Sequence, residues 1–74
     1  METHFFEPKV TPPKKYEHLL LLVRYSADEY LWNYVTEGWY CGEDEWSDFF
    51  GDQISGDKKV LAWTFLPQIP DKFK

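Results

Sequence analysis

The middle of this chain is acidic and rich in aromatic rings, and it contains no lysine or arginine between Tyr25 and Asp57. Nine carboxylates fall in that stretch: Asp28, Glu29, Glu37, Glu43, Asp44, Glu45, Asp48, Asp52 and Asp57. Nine rings are interleaved with them: Tyr25, Tyr30, Trp32, Tyr34, Trp39, Tyr40, Trp46, Phe49 and Phe50. A segment of this kind can fold around its rings and turn its charges to water. Such a surface repels nucleic acids and anionic membranes and attracts basic partners.

A chain of 74 residues makes one small domain, spanning 1–74, with a marginal hydrophobic core. Domains of this size often depend on disulfides, a metal or oligomerisation. The single cysteine, Cys41, excludes an internal disulfide, and the two histidines do not complete a zinc site. We therefore expect no cofactor. The aromatic rings supply the missing apolar area, and some of them are expected at a homo-oligomer or partner interface.

The overall charge of −5 argues against direct binding to nucleic acid. The longest apolar run, Leu19 to Val23, is too short to cross a bilayer, so no membrane is expected as a partner. No signal peptide is visible at the N-terminus, and a lone cysteine suits a reducing compartment. These features predict a soluble, cytoplasmic protein.

Local patterns divide the chain into an extended lead-in over 1–15, a core over 16–66 and a tail over 67–74. Prolines and lysines dominate 7–15, and Pro67 and Pro70 end the last strand because proline cannot donate to a β-ladder. Strands are predicted at 18–25, 30–36, 39–41 and 59–65, with a short ring-bearing segment at 45–50. The first strand is an apolar run expected to be buried on both faces. Turns are predicted at 26–29, 37–38, 42–44 and 51–58.

Residues 27–36 admit two interpretations. Alternation of Tyr30, Trp32 and Tyr34 with smaller residues favours a strand. Ser26 and Glu29, however, match a capping box, which would begin a short helix over 27–36. The predicted fold class is therefore all-β or β-rich α+β, a small antiparallel meander of three to four strands with that helix as the alternative.

The order of these segments resembles a known group of small domains. The lead-in is followed by an LLLLV strand at 19–23, an aromatic strand ending in Gly38-Trp39-Tyr40 and an acidic turn. The chain then shows W-x-x-L-P-x-x-P, running from Trp63 to Pro70. Over residues 5–70 this looks like the domains of unknown function grouped as DUF551, which are common in phages and prophages. The resemblance implies a mobile-element origin but transfers no catalytic residue. This chain departs from it at Phe5-Phe6, where a tryptophan is common, and in the long loop at 52–57.

The densest group of carboxylates, flanked by rings, is the candidate partner-binding site. It comprises Glu43, Asp44, Glu45, Trp46, Asp48 and Phe49. The leading hypothesis is a non-enzymatic module that binds a host protein with a basic surface, with Trp46 as an aromatic anchor. Trp39 and Trp63 are expected in the core instead.

Three alternatives remain open. The acidic face could mimic nucleic acid and inhibit a host defence or DNA-binding complex, in the manner of anti-CRISPR proteins. The same carboxylates could form a metal or ligand site, although their spacing does not match an EF-hand. The rings could also pack across the symmetric interface of a structural homo-oligomer.

Overall fold

The structure, a computed structural model, describes residues 4–67 and 69–73. The remaining residues of the predicted lead-in (1–3) and tail (68 and 74) lie outside it. Four strands form one antiparallel sheet in the order β3-β2-β1-β4, and a short 3-10 turn at Asp71–Phe73 follows. The strands are β1 (Leu19–Ala27), β2 (Tyr30–Gly42), β3 (Glu45–Asp48) and β4 (Lys58–Phe65). This confirms the predicted β-rich meander. In the described part of the chain, no helix is long and apolar enough to cross a membrane.

β1 occupies the centre of the sheet and supplies the middle of the core. Leu19, Leu21 and Val23 are completely buried on one face. Leu20 and Leu22, which point to the other face, are only half-buried. The expectation of burial on both faces is therefore met on one face alone, where Ile54 and Phe6, from outside the strands, join the core.

β2 is a single strand of 13 residues and corrects two predictions. It pairs with β1 from Tyr30, opposite Ala27, to Gly38, opposite Leu19. The helix over 27–36 is therefore wrong: the alternation of large rings prevails over the capping box, and Asp28 and Glu29 form a hairpin turn instead.

The turn predicted at Glu37–Gly38 is also wrong, because Gly38 sits within the ladder. A Cβ at this position would collide with the backbone carbonyl of Ser47 and lie 2.8 Å from Cδ1 of Leu21. This glycine therefore allows close approach of backbone and core rather than a turn.

Two short segments outside the strands cover the core. Phe6 exchanges two backbone hydrogen bonds with Trp63, of 2.8 and 3.0 Å, and their ring centroids lie 4.8 Å apart. On the far side of the sheet, the N–H of Ile54 donates to the carbonyl of Trp46 at 2.8 Å. The buried cluster consists of Leu19, Leu21, Val23, Trp46, Ile54 and Trp63. The lead-in and the 51–57 loop thus act as edge coverings for β4 and β3.

Candidate partner-binding surface

The connection between β2 and β3 is a tight turn made of acidic residues. Glu43 and Asp44 have φ angles of 51° and 61°, the positive values that both central positions of a type I′ hairpin turn require. Turns of this kind favour Asn, Asp and Gly, because most other L-residues, such as Glu43, are strained there by roughly 1–2 kcal/mol each. Here the side chains of Glu43, Asp44 and the following Glu45 are all exposed. We call these three residues the acidic turn.

The carboxylates of the acidic turn form no close ion pair with the rest of the described chain. Among the described residues, the only ion pair within 4.0 Å joins His18 to Glu37, at 3.5 Å. The stem of Lys15 lies close to the turn, since its Cε would be 2.7 Å from a Cβ built on Gly42, and Lys58 and Lys59 line the same groove as Asp44. The Lys15 stem therefore packs over the base of the turn without forming an ion pair with its carboxylates. The acidic turn is consequently free to meet a basic partner.

Trp46 does not belong to this surface, which corrects its prediction as an exposed anchor. It is only 5% exposed and packs against Tyr40, with ring centroids 4.7 Å apart. Tyr40 and Trp46 lie opposite each other in the β2–β3 ladder, on the same face as the β1 core. Acidic neighbours in sequence do not predict exposure in a strand, because adjacent side chains point to opposite faces.

The side chain of Asp48 is half-buried and makes hydrogen bonds within the fold. Its Oδ1 accepts hydrogen bonds from the backbone N–H groups of Phe50 and Asp52, both at 2.9 Å. The Asp48 side chain thereby holds the turn that follows β3, in the manner of an Asx turn. This carboxylate is a structural group, and it is not counted in the candidate surface.

Phe49 and Phe50 form an exposed ring pair beyond the end of β3. Phe49 is 53% exposed and Phe50 is 87% exposed. Phe49 also stacks on His18 at a centroid distance of 5.2 Å. Because β3 rises by about 3.3 Å per residue, this pair lies on the order of 10 Å from the acidic turn. The structure thus gathers Glu43 to Glu45 but separates them from Phe49.

A second exposed apolar surface lies on the β1–β2 hairpin, and sequence reasoning did not identify it as a site. Tyr25 and Trp32 stack with centroids 4.4 Å apart, and Tyr30 meets Trp32 edge-on at 6.4 Å. Leu31 and Val35 are exposed on the opposite face. The sequence signal that could have identified this surface is the alternating aromatic run. The hairpin that carries this run extends beyond the residues with which the neighbouring strands pair.

A groove of about 610 Å³ separates the lead-in from the loop before β4. Its lining mixes opposite charges, with Glu7 and Asp44 beside Lys9, Lys58 and Lys59. In the part of the chain that the structure describes, no three His, Cys, Asp or Glu side chains are grouped to hold a metal ion. The groove thus presents no single charge sign to a ligand.

Comparison of the chain with protein-family models finds no match, and curated proteins and solved structures likewise give no significant match. The resemblance to DUF551 therefore stays a prediction.

Proposed function

We propose that this protein is a non-enzymatic binding module whose acidic turn docks on a basic surface of another protein. If the chain is phage-encoded, as the resemblance implies, the partner is a host protein of the cytoplasm. One observation carries the proposal: Glu43 and Asp44 are two adjacent carboxylate residues at positive φ, whereas the other non-glycine residues with positive φ among those described, Tyr16 and Asp28, stand singly. Strained backbone held at a cost in stability is typical of functional positions.

The electrostatics of the acidic turn support the same conclusion. Three exposed carboxylates follow one another at a hairpin tip, with no ion-pair partner within 4.0 Å among the described residues. Clustered charges of one sign steer a partner of the opposite sign and set the orientation of docking. Their effect is screened over about 8 Å at physiological salt. Binding is therefore expected to weaken as salt is raised.

The exposed ring pair Phe49–Phe50 is the apolar contact that accompanies the charges. Interfaces combine a desolvated apolar anchor with a polar rim. Phe50 is the better anchor of the two, because Phe49 already stacks on His18. A basic partner surface would have to extend on the order of 10 Å from the acidic turn to reach both features.

The test is capture of partners from lysate of the native host by the tagged protein, at low and high salt. The triple variant Glu43→Lys, Asp44→Lys, Glu45→Lys should lose the captured partner. A matched control, Asp28→Lys, Glu29→Lys, Asp57→Lys, makes the same change in net charge away from the acidic turn. It should keep the partner.

Equal loss in both variants would show that net charge, rather than the acidic turn, is responsible. Retention by the first variant would reject the proposal. Displacement of a captured protein by duplex DNA would indicate that the acidic turn occupies a nucleic-acid groove on that partner.

A further inference from the structure

The outer edge of β2 is uncovered along the β1–β2 hairpin. β3 pairs only with the end of β2, from Gly38 to Gly42. Within residues 4–67 and 69–73, no segment pairs with the outer side of 30–37. Each of the other two edges of the sheet is bridged at one position, by Phe6 at Trp63 in β4 and by Gln53 at Ser47 in β3. We call residues 30–37 on this side the free edge.

The direction of the unpaired backbone groups follows from the ladder. Phe6 and Trp63 bond to each other, so the N–H and C=O of Trp63 point away from β1. Leu21 lies opposite Trp63 on one side and Thr36 on the other. Because these groups alternate in direction along a strand, Leu21 and Thr36 bond to each other, and odd-numbered residues of β2 point outward. At the free edge these are Leu31, Asn33, Val35 and Glu37.

The free edge lacks most of the devices that usually prevent edge-to-edge association, and Glu37 is its one charged residue. Such edges are protected by lysine, proline or a β-bulge. Residues 30–37 contain no lysine or proline, and their pairing with β1 has no register shift. Leu31 is 64% exposed and Val35 is 51% exposed. By contrast, β4 begins with Lys58 and Lys59.

We propose that a second copy of this chain adds to the free edge, antiparallel, across a two-fold axis at Asn33. In this register Leu31 faces Val35 of the second copy, and each Asn33 faces the other. These are the outward-pointing positions, so the three pairs exchange about six backbone hydrogen bonds. The two sheets would join into one continuous sheet with isologous contacts.

The side chains on both faces match in the same register. Trp32 faces Tyr34 of the second copy on the ring-bearing face, and Leu31 faces Val35 on the other. Aromatic and apolar cross-strand pairs stabilise sheets by about 0.2–1 kcal/mol each. An axis shifted by one residue, to Tyr34, would place Leu31 opposite Glu37. The two-fold at Asn33 is therefore the register that the sequence favours.

Charge repulsion opposes this association and gives it a characteristic dependence on salt. Glu29 would face Glu37 at both ends of the interface, and each chain carries a net charge of −5. Salt screens such repulsion, so self-association should strengthen as salt rises. Binding through the acidic turn has the opposite dependence. The inference thus stands independently of the proposed function.

Analytical ultracentrifugation of the full chain tests the proposal. At high salt and high protein concentration the apparent mass should rise from 8.9 kDa towards twice that value. Asn33→Pro removes an outward N–H that the monomer does not use, and it should weaken the dimer at least tenfold. The matched control Asn33→Ala removes the Arg24–Asn33 side-chain hydrogen bond but keeps that N–H, and it should dimerise.

Because proline at Asn33 could unfold the chain, a second pair of variants tests the free edge without proline. Val35→Lys places a cation at the free edge, whereas Val10→Lys makes the same exchange at an exposed site outside the sheet. Only the first should weaken the dimer, and circular dichroism should show both folded. A wild-type chain that stays monomeric at every salt concentration would overturn the proposal. So would a dimer that is insensitive to both free-edge variants.

Discussion

Glu43 and Asp44 stand at positions where other residues would make the fold more stable, and this points to a role in binding. Both adopt positive φ angles, where a residue with a Cβ is strained. Asp44 gains only one weak contact there, from its N–H to the Tyr40 hydroxyl at 3.4 Å. The fold offers these two side chains little compensation. Their charge is therefore the property that explains their presence.

Replacing both residues with the preferred turn pair should separate stability from binding. Glu43→Asn with Asp44→Gly is expected to raise the free energy of unfolding by about 1–2 kcal/mol, because it relieves the left-handed strain. It should also weaken partner capture. Urea unfolding followed by tryptophan fluorescence measures the first effect. The control Glu43→Gln with Asp44→Gln removes the charges but not the strain, and unfolding that is equally stabilised in it would contradict the explanation.

At the scale of elements, β1 and β4 were predictable, whereas the continuity of β2 and the segments that cover the sheet were not. The apolar run of β1 and the alternation in β4 identify both strands from local pattern alone. Gly38 misled the prediction because a glycine signals either a turn or a close approach, and only its distance from Leu21 decides between them. The prediction that Trp46 is exposed was wrong because the face on which its side chain lies is set by the pairing of β3 with β2, where Trp46 is opposite Tyr40. The sequence around Trp46 does not reveal this pairing. The acidic turn, a local feature, was located correctly.

The lead-in should contribute to stability as a covering element. Phe6 bonds to β4 through its backbone and packs its ring on Trp63. Phe6→Ala is therefore expected to lower the free energy of unfolding by about 2 kcal/mol, less than for a fully buried ring, since Phe6 is half-buried. Phe50→Ala, at an exposed ring, should change it by at most about 0.5 kcal/mol. Equal effects in chemical denaturation would mean that the lead-in does not stabilise the sheet.

For the whole molecule, the long β2 strand places two different surfaces far apart. The acidic turn follows its last residue, Gly42, and the free edge lies towards its first, Tyr30. At about 3.3 Å per residue, β2 alone spans on the order of 40 Å, in keeping with a longest extent of 45 Å. A dimer joined at the free edge would leave both acidic turns at its outer ends, each available to a partner. Bivalent presentation of this kind raises apparent affinity without new contacts.

Mutations should therefore impair self-association and partner binding separately. Asn33→Pro should weaken self-association at least tenfold yet keep one-to-one partner binding, while the lysine triple variant in the acidic turn should lose partner binding and still dimerise. Salt provides a second separation, since screening weakens attraction to a basic partner but relieves repulsion between two acidic chains. Sedimentation measures self-association and titration with the partner measures partner binding, each for both variants across a salt series. Loss of both activities in either variant would mean that one surface serves both, and the elongated arrangement of β2 would then not explain how the protein binds.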